Sequence, residues 1–177
     1  MGLSMVPALL GVQAPLWLMM AKLKNVPYLN ELFDPTLLAK TIAEFHLATF
    51  DGQKCLCHID NQPANILWDS GCYHLIDFED SRVDYPELDV SHLLLFWAAD
   101  VPTYRFTSIL AGFLHSYTKL LPLDANRWKA CLASNIITFD ERRGLYHKQN
   151  GKNPPDEHLS NRKLLAKALS LASSRVG

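Results

Sequence analysis

Apolar residues recur at helical spacing after Asp34 and Pro35, and this is the clearest secondary-structure signal in the chain. Aspartate is a favoured helix cap, and proline fits the first turn because its missing N–H would find no partner there. Apolar side chains then fall on one face of a helix at Leu38, Ile42 and Phe45. This pattern predicts an amphipathic helix over residues 35–50, with Asp51-Gly52 at its end.

Helical patterns also dominate the second half of the chain. An apolar run over residues 91–99 indicates a buried helix, and three longer segments repeat the helical period. These segments cover residues 103–120, 125–146 and 157–173. Between the last two lies a predicted loop, residues 150–156, which is rich in asparagine and proline.

The N-terminal residues are apolar but are interrupted by proline, glycine and glutamine. No unbroken apolar run reaches the length of a membrane span and no cationic region precedes it, so a signal peptide is only the alternative interpretation. We predict two short buried strands, residues 6–10 and 16–21, joined by a turn at residues 11–15. The segment 22–34 predicts a linker or a short helix.

A β-hairpin is predicted in the middle of the chain. The runs "NILW" and "CYHLIDF" have the character of strands, and the turn-forming residues Asp69-Ser70-Gly71 separate them. Strands thus come first and helices follow, which predicts an α+β fold.

The composition suits one compact domain of 177 residues, with 49% hydrophobic residues and a net charge of −1. The absence of a basic excess is a weak argument against nucleic acid as the main partner, and the interrupted N-terminus argues against a membrane. The four cysteines follow no secretion signal, so we expect reduced thiols in a cytoplasmic protein. Cys55 and Cys57 lack the paired spacing of zinc sites, and we predict that they are buried thiols in a strand.

Three polar residues around the hairpin predict a site for a metal ion and a proton transfer. Asp60 and Asn65 flank a loop that Pro63 stiffens, and Asp77 ends the second strand, which returns beside the start of the first. We therefore expect Asn65 and Asp77 to lie close together. Their oxygens suit Mg²⁺, and Asp60 would be a nearby carboxylate that can accept a proton from a hydroxyl. Such an arrangement is the catalytic half of a phosphoryl-transfer site.

The segment "HIDNQPANIL" resembles the catalytic loop of the protein-kinase superfamily, and "LIDFE" resembles its metal-binding Asp-Phe-Gly motif. The closer likeness is to the aminoglycoside and choline kinase family, whose loop often has a proline at the place of Pro63. That family also often has an aspartate a short way past the metal motif, at the start of a helix, and Asp89 fits that place. "APLWLMMAKL" looks like the last strand of the small lobe plus the hinge. "LLAKTIAEFHLATF" looks like the helix before the loop, including its terminal Phe-His pair. The resemblance covers most of residues 6–99.

This resemblance implies an ATP- and Mg²⁺-dependent kinase that phosphorylates a hydroxyl group of a small molecule. Asp60 looks like the catalytic base, and Asn65 and Asp77 look like the Mg²⁺ ligands. His58 looks like the histidine that braces the loop, and Asp89 looks like the aspartate that pins its backbone. The segment that looks like the adenine-binding hinge comprises Ala21, Lys22 and Leu23.

The resemblance also implies that only part of a kinase is present. Residues 1–24 would be a remnant of the N-terminal lobe with the hinge, and residues 25–177 a kinase-like C-terminal lobe with a catalytic hairpin at 55–80 and a helical body at 88–177. The sequence has no Gly-rich loop and no small-lobe strand lysine. It therefore has the catalytic-loop side of a kinase active site and little of the small-lobe side that holds the nucleotide phosphates. Three explanations stay open: a fragment or late start, a partner chain that supplies the lobe, or a reduced relative without transfer activity.

Other details of the sequence bear on activity. Glu79 stands where the metal motif has glycine, and Ile59 stands where glycine or arginine usually follows the histidine.

The main alternative function is a non-catalytic, pseudokinase-like binding module, and a protein Ser/Thr kinase is a further one. Uncovered apolar N-terminal strands predict self-association or pairing with a missing segment. The run "DERRGLYHK", residues 140–148, predicts a solvated helix face, with a substrate role open.

Overall fold

The computed structural model describes the backbone of residues 9–13, 17–20, 26–27, 33–150 and 157–173, and the side chains of residues 33–143 and 159–169. Within these ranges, short antiparallel strands are followed by a helical body, and one helix lies among the strands. The strands are β1 (Leu9–Gln13), β2 (Trp17–Met20), β3 (Val26–Pro27), β4 (Cys55–Cys57), β5 (Ile66–Asp69), β6 (Cys72–Leu75) and β7 (Arg82–Asp84). The helices are α1 (Pro35–Leu47), α2 (Pro86–Asp100), α3 (Thr103–Leu120), α4 (Ala125–Asn150) and α5 (Glu157–Ser173). The predicted α+β class is confirmed.

β1 and β2 form an antiparallel pair, which confirms the two predicted N-terminal strands. The predicted turn at residues 11–15 is wrong in its first half, because β1 continues to Gln13. The register shifts between Leu9 and Gly11, as at a β-bulge. Glycine is common at such bulges, so Gly11 marks an irregularity inside a strand rather than its end. The other residues of these predicted elements, 6–8, 14–16 and 21, lie outside the described residues.

Two very short strands, β3 and β7, were not predicted. β3 lies in the predicted linker and pairs with β5, so this part of the linker prediction is wrong. Its Pro27 is compatible with an edge strand, where a missing N–H costs no ladder bond. β7 pairs with β4, and two of its three residues are exposed, so it lacks an apolar alternation. Both segments are strands because they pair with β5 and β4, and neither has a strand-like sequence pattern of its own.

β5 and β6 form the predicted hairpin. Its turn at Ser70-Gly71 is confirmed, since the two residues adopt left-handed conformations with φ of 51° and 86°. Two consecutive left-handed residues match the twist of the paired strands. β6 ends at Leu75, whereas the sequence predicted a strand to Phe78. The reason is Asp77, whose own left-handed φ of 66° interrupts the extended chain.

α1 begins as predicted and ends earlier than predicted. The Asp34 carboxylate accepts hydrogen bonds from the backbone N–H groups of Thr36 (2.8 Å) and Leu37 (3.2 Å), which caps the helix. The helix ends at Leu47 rather than at residue 50. The chain then turns at Asp51, whose carboxylate accepts two backbone N–H bonds, and enters β4.

The other predicted helices are confirmed, with differences at their ends. α3 and α5 have the predicted bounds. α2 begins earlier than predicted, at Pro86, a residue suited to a first helical turn. α4 runs past its predicted end to Asn150, and residues 151–156 of the predicted loop lie outside the described residues. In the described part of the chain, no helix is long and apolar enough to span a membrane.

α2 is the centre of the helical body. Nearly all of its residues are buried, and it packs against α3, α4, α5 and β4. Near its C-terminal end, the Trp97 ring centroid lies 5.2 Å from that of Phe33 and 5.4 Å from that of Phe113, both in edge-to-face contact. Such contacts add to the stabilisation from apolar burial. The burial of α2 fixes the position of its acidic first turn next to β4.

Candidate active site

The loop between β4 and β5 brings Asp60 and Asn65 into direct contact. The Asn65 nitrogen Nδ2 donates to the backbone oxygen of Asp60 (2.8 Å) and to its carboxylate oxygen Oδ2 (2.9 Å). The same Oδ2 accepts a hydrogen bond from Gln62 Nε2 at 3.0 Å. A short 3₁₀ turn over Pro63–Asn65 returns the chain toward Asp60. Two side-chain amides thus hold one oxygen of Asp60 and leave Oδ1 for other contacts.

Asp77 is connected to this pair through the preceding residue. The backbone N–H of Ile76 donates to the backbone oxygen of Asn65 at 3.0 Å. Asp77 itself is exposed, and aspartate tolerates its left-handed conformation better than most residues do. The structure therefore places Asp60, Asn65 and Asp77 at the same end of the hairpin.

The oxygen donors at this end of the hairpin fit a divalent cation. Asn65 uses its nitrogen in both contacts with Asp60, so its side-chain oxygen Oδ1 stays available as a ligand. Asp77 carries an exposed carboxylate, and the residue before it is bonded to the Asn65 backbone. Such oxygens near solvent are ligands that Mg²⁺ takes when water and phosphate oxygens complete its shell. Asn65 and Asp77 are therefore the residues that could hold the ion.

Asp89, in the first turn of α2, anchors the backbone of the loop. Its carboxylate accepts hydrogen bonds from the N–H groups of His58 and Ile59, both at 2.8 Å. Ile59 depends on this support, because its φ of 70° is strained for a β-branched residue. Burial alone would raise the pKa of Asp89, but the hydrogen bond and charge of His46, together with the two loop N–H groups, hold that pKa below its ordinary value.

His46, at the end of α1, completes the support of Asp89. Its Nε2 donates to Asp89 Oδ2 at 2.9 Å, and its Nδ1 lies 2.6 Å from the hydroxyl oxygen of Tyr117 on α3. All three side chains are buried, and burial raises the pKa of Tyr117 well above its ordinary value. Asp89 and His46 thus link three helices to the loop. The sequence shows only a Phe-His pair here, and the distant partners of His46 leave no local signal.

His58 joins the loop to the segment that carries Asp77. Its Nε2 donates to the backbone oxygen of Ile76 at 2.7 Å. Its ring centroid lies 4.6 Å from that of Phe78, and the side chain is fully buried. His58 therefore contacts the residues on both sides of Asp77.

His92 supports the loop from α2. Its Nδ1 lies 2.9 Å from the side-chain oxygen of Asn61, whose nitrogen donates to the backbone oxygen of Asp89. The Asn61 oxygen only accepts, so Nδ1 of His92 carries the proton. Burial lowers the pKa of His92 below its ordinary value of 6.5, in spite of the opposing charges of Asp89 and Asp60. The imidazole is therefore neutral in the folded protein at neutral pH.

We expect His92 to make the protein less stable as the pH falls below 6.5. The unfolded chain binds a proton at the ordinary pKa of 6.5, whereas the folded protein binds it only at lower pH. The stability that depends on neutral His92 is thus present above 6.5 and is lost as the pH falls toward the lowered pKa, by at most about 1.4 kcal/mol per pH unit. Urea unfolding over this range measures the effect. His92→Gln should flatten the pH dependence, and the exposed-site variant His115→Gln should not; an unchanged dependence in His92→Gln would contradict the assignment.

Arg142 of α4 also reaches the site. Its Nη1 lies 3.5 Å from Asp60 Oδ1, the carboxylate oxygen that the loop amides do not hold. The sequence around Arg142 predicts a solvated helix face, and the side chain is indeed exposed. Its contact with Asp60 could not be predicted, because it joins α4 to a loop far away along the chain.

Cys55 and Cys57 are buried in β4, as predicted. Their sulfur atoms lie 3.7 Å apart, and with His46 they bring three potential metal ligands within 4.8 Å of one another. However, both ring nitrogens of His46 already have partners, Asp89 and Tyr117. The hydrogen bond with Cys55 and burial also raise the pKa of Cys57, which keeps the thiol protonated. This cluster is core packing behind the loop.

The remaining predicted site residues are those of the predicted hinge. Ala21, Lys22 and Leu23 lie outside the described residues. Glu79, at the place of the motif glycine, and the following Asp80 are both exposed. They extend the acidic character of the segment that begins at Asp77.

The segment that contains this loop and hairpin matches the sequence model of a known protein family. The family model described as "Phosphotransferase enzyme family" (APH) matches residues 9–127. No match was found among curated proteins. Among solved structures, the chain is similar to the amicoumacin kinase hAmiN in complex with AMP-PNP, Ca²⁺ and Ami, with 20% identity and a TM-score of 0.44 over 75% of this chain and 44% of that one. It is also similar to the choline kinase LicA from Streptococcus pneumoniae, with 17% identity and a TM-score of 0.37 over 78% of this chain and 56% of that one.

The family match covers well over half of the chain and includes the whole loop and hairpin. The chain belongs to this phosphotransferase family, as the resemblance predicted. Its described fold is mainly helical, with short antiparallel strands. The chain spans about half the length of the two solved structures.

Proposed function

We propose that this chain carries the catalytic lobe of an ATP- and Mg²⁺-dependent phosphotransferase that phosphorylates a hydroxyl group of a small molecule. The observation that carries the proposal is the hydrogen bond between the side chains of Asn65 and Asp60. Asp77 is connected to this pair because the preceding residue, Ile76, donates its N–H to the backbone oxygen of Asn65. All of these residues lie within the part of the chain that the phosphotransferase family model matches. A base, an amide oxygen and a carboxylate are the groups that this half of a phosphoryl-transfer site requires.

Asp60 is the proposed base. Its Oδ1 accepts the proton of the acceptor hydroxyl while the hydroxyl oxygen bonds to the γ-phosphorus of ATP. The bond from that phosphorus to the β–γ bridging oxygen breaks, and its electron pair leaves with ADP. Asn65 and Gln62 hold Oδ2, which keeps the carboxylate oriented while Oδ1 takes the proton.

The other residues have supporting roles in this proposal. Mg²⁺ bound by Asn65 and Asp77 would neutralise charge on the phosphate oxygens. His58 and Asp89 are proposed positioning residues, because Asp89 holds the loop backbone just before Asp60 and His58 holds the residue before Asp77. The hinge proposed to contact the adenine edge through backbone groups comprises Ala21, Lys22 and Leu23.

We also propose the division of the chain that the sequence implies. Residues 1–24 would contribute strands and the hinge of a small lobe, and residues 25–177 would form the C-terminal lobe. The sequence has no Gly-rich loop and no small-lobe strand lysine, so we assign these parts of the nucleotide site to further residues of the whole protein or to a partner chain.

The proposal is tested by following the labelled γ-phosphate of ATP in the presence of a panel of small alcohols. We expect the label to appear in an alcohol only when Mg²⁺ is present. Asp77→Ala should reduce this transfer by more than about tenfold. Loss of a residue that only supports a metal ligand already costs about that much, and Asp77 is a proposed ligand. Asp80→Ala is the matched control, because Asp80 is an exposed acidic residue of the same segment. Transfer in the presence of EDTA, equal transfer in the two variants, or no transfer by the whole protein would contradict the proposal.

A further inference from the structure

A guanidinium group lies at the oxygen of Asp60 that the loop amides do not hold. Arg142 Nη1 is 3.5 Å from Oδ1, whereas Asn65 and Gln62 both donate to Oδ2. The Arg142 side chain is 61% exposed, and that of Asp60 is 18% exposed. Arg142 therefore lies on the solvent side of the Asp60 carboxylate, where a molecule that enters from solvent would contact it.

This ion pair has to rearrange before Asp60 can act as a base. The acceptor hydroxyl must approach Oδ1, and a nearby positive charge opposes protonation of a carboxylate. A guanidinium carries five N–H donors in a planar fork, so it can bind a carboxylate or phosphate group through two of them at once. An anionic group on the incoming molecule can therefore replace Asp60 as the partner of Arg142. That exchange frees Oδ1 to receive the proton.

Two other arginines of the same region have partners away from the loop. Arg143 pairs with Asp100 and lies 5.0 Å from the Phe139 ring centroid, and Arg162 pairs with Asp140. Their side chains are 25% and 13% exposed, against 61% for Arg142. Arg142 is thus a largely solvated cation whose partner is the proposed base. It also lies beyond residue 127, outside the residues that the family model matches.

We propose that Arg142 binds an anionic group of the acceptor, so that the substrate is a hydroxyl compound with a carboxylate or phosphate group near the reacting hydroxyl. This inference rests on the proposed function, because it takes Asp60 as the base. The same cation disfavours acceptors that present an ammonium group at this place, since like charges repel. Arg142 is then a residue that contacts the acceptor and selects it by charge.

Three compounds with the same carbon skeleton separate the effect of charge from that of shape: glycerate, glycerol and 3-aminopropane-1,2-diol. They carry a carboxylate, a neutral hydroxyl and an ammonium group at the same end. Their binding to the full chain is followed by NMR titration of the backbone amide signals, with no nucleotide present. We expect glycerate to bind at least about tenfold more tightly than the amino compound, with glycerol in between. Arg142→Ala should remove most of this preference, and Arg142→Lys should restore part of it.

Arg143→Ala is the matched control, because this neighbouring arginine pairs with Asp100 and should leave the order of affinities unchanged. Equal binding of glycerate and glycerol, tighter binding of the amino compound, or a preference that survives Arg142→Ala would overturn the inference. The titrations contain no ATP, so their failure is distinguishable from a failure of the proposed function. Mg²⁺-dependent nucleotide binding, measured on the same parent chain and on Asp77→Ala, tests that function separately.

Discussion

Asp60→Asn is expected to lower the rate of phosphate transfer by about 10²–10⁴-fold, the usual contribution of a positioned general base. The amide has the shape of the carboxylate, and its oxygen can still accept hydrogen bonds from Asn65 and Gln62, so the loop keeps its geometry. It cannot take the proton of an acceptor hydroxyl at neutral pH. Asp60 is not a proposed metal ligand, so the affinity for Mg²⁺ and ATP is expected to stay close to that of the parent chain.

Initial rates at saturating substrate and a calorimetric titration with Mg²⁺ and ATP separate these two effects. Asp80→Asn is the control, because it removes an exposed acidic group close to the site in the sequence but outside the loop. A full rate in Asp60→Asn would remove Asp60 from the mechanism. Loss of nucleotide binding in that variant would give Asp60 a structural role instead.

Asp89→Ala is expected to lower the free energy of unfolding by about 3–5 kcal/mol, the range for removing one partner from a buried ion pair. The change leaves buried donors without their acceptor: the His46 ring and the N–H groups of His58 and Ile59. It also removes the contact that holds Ile59 at its strained φ of 70°. The folded-state pKa of Asp89 lies below its ordinary 3.8, so its stabilising contribution is present above pH 3.8 and is lost as the pH falls through the lowered value.

Urea unfolding at neutral pH measures this loss. Asp84→Ala is the control, because the Asp84 and Arg82 side chains are 26% and 56% exposed in their ion pair, whereas Asp89 and His46 are fully buried. Removal of such a pair should cost less than about 1 kcal/mol. Equal losses in the two variants would show that Asp89 does not anchor the loop.

The parts of the site that lie close together along the chain could be predicted from the sequence. His58, Asp60 and Asn65 belong to one loop, and the turn at Ser70-Gly71 returns the chain so that Asp77 comes to the same end of the hairpin. The long helices were predictable for a similar reason. α3 and α5 contain enough turns for the helical period to stand out, and their bounds agree with the prediction.

The rest of the fold and the site depends on contacts between distant segments. β3 and β7 have two and three residues, too few for an alternating pattern, and they are strands because β5 and β4 pair with them. The site shows the same limit. His46 meets Asp89, and Arg142 meets Asp60, only after the helices have packed around the loop. No local pattern of residues encodes either pair.

The central claim is that Asn65 and Asp77 hold a metal–nucleotide complex at the end of the hairpin. Isothermal titration of ATP into the full chain, with and without Mg²⁺, tests this claim most directly when it is repeated with Asp77→Ala. We predict a heat of binding that requires Mg²⁺ and that the variant loses. Binding that is the same without Mg²⁺ or the same in the variant would contradict the claim, as would the absence of binding by the parent chain.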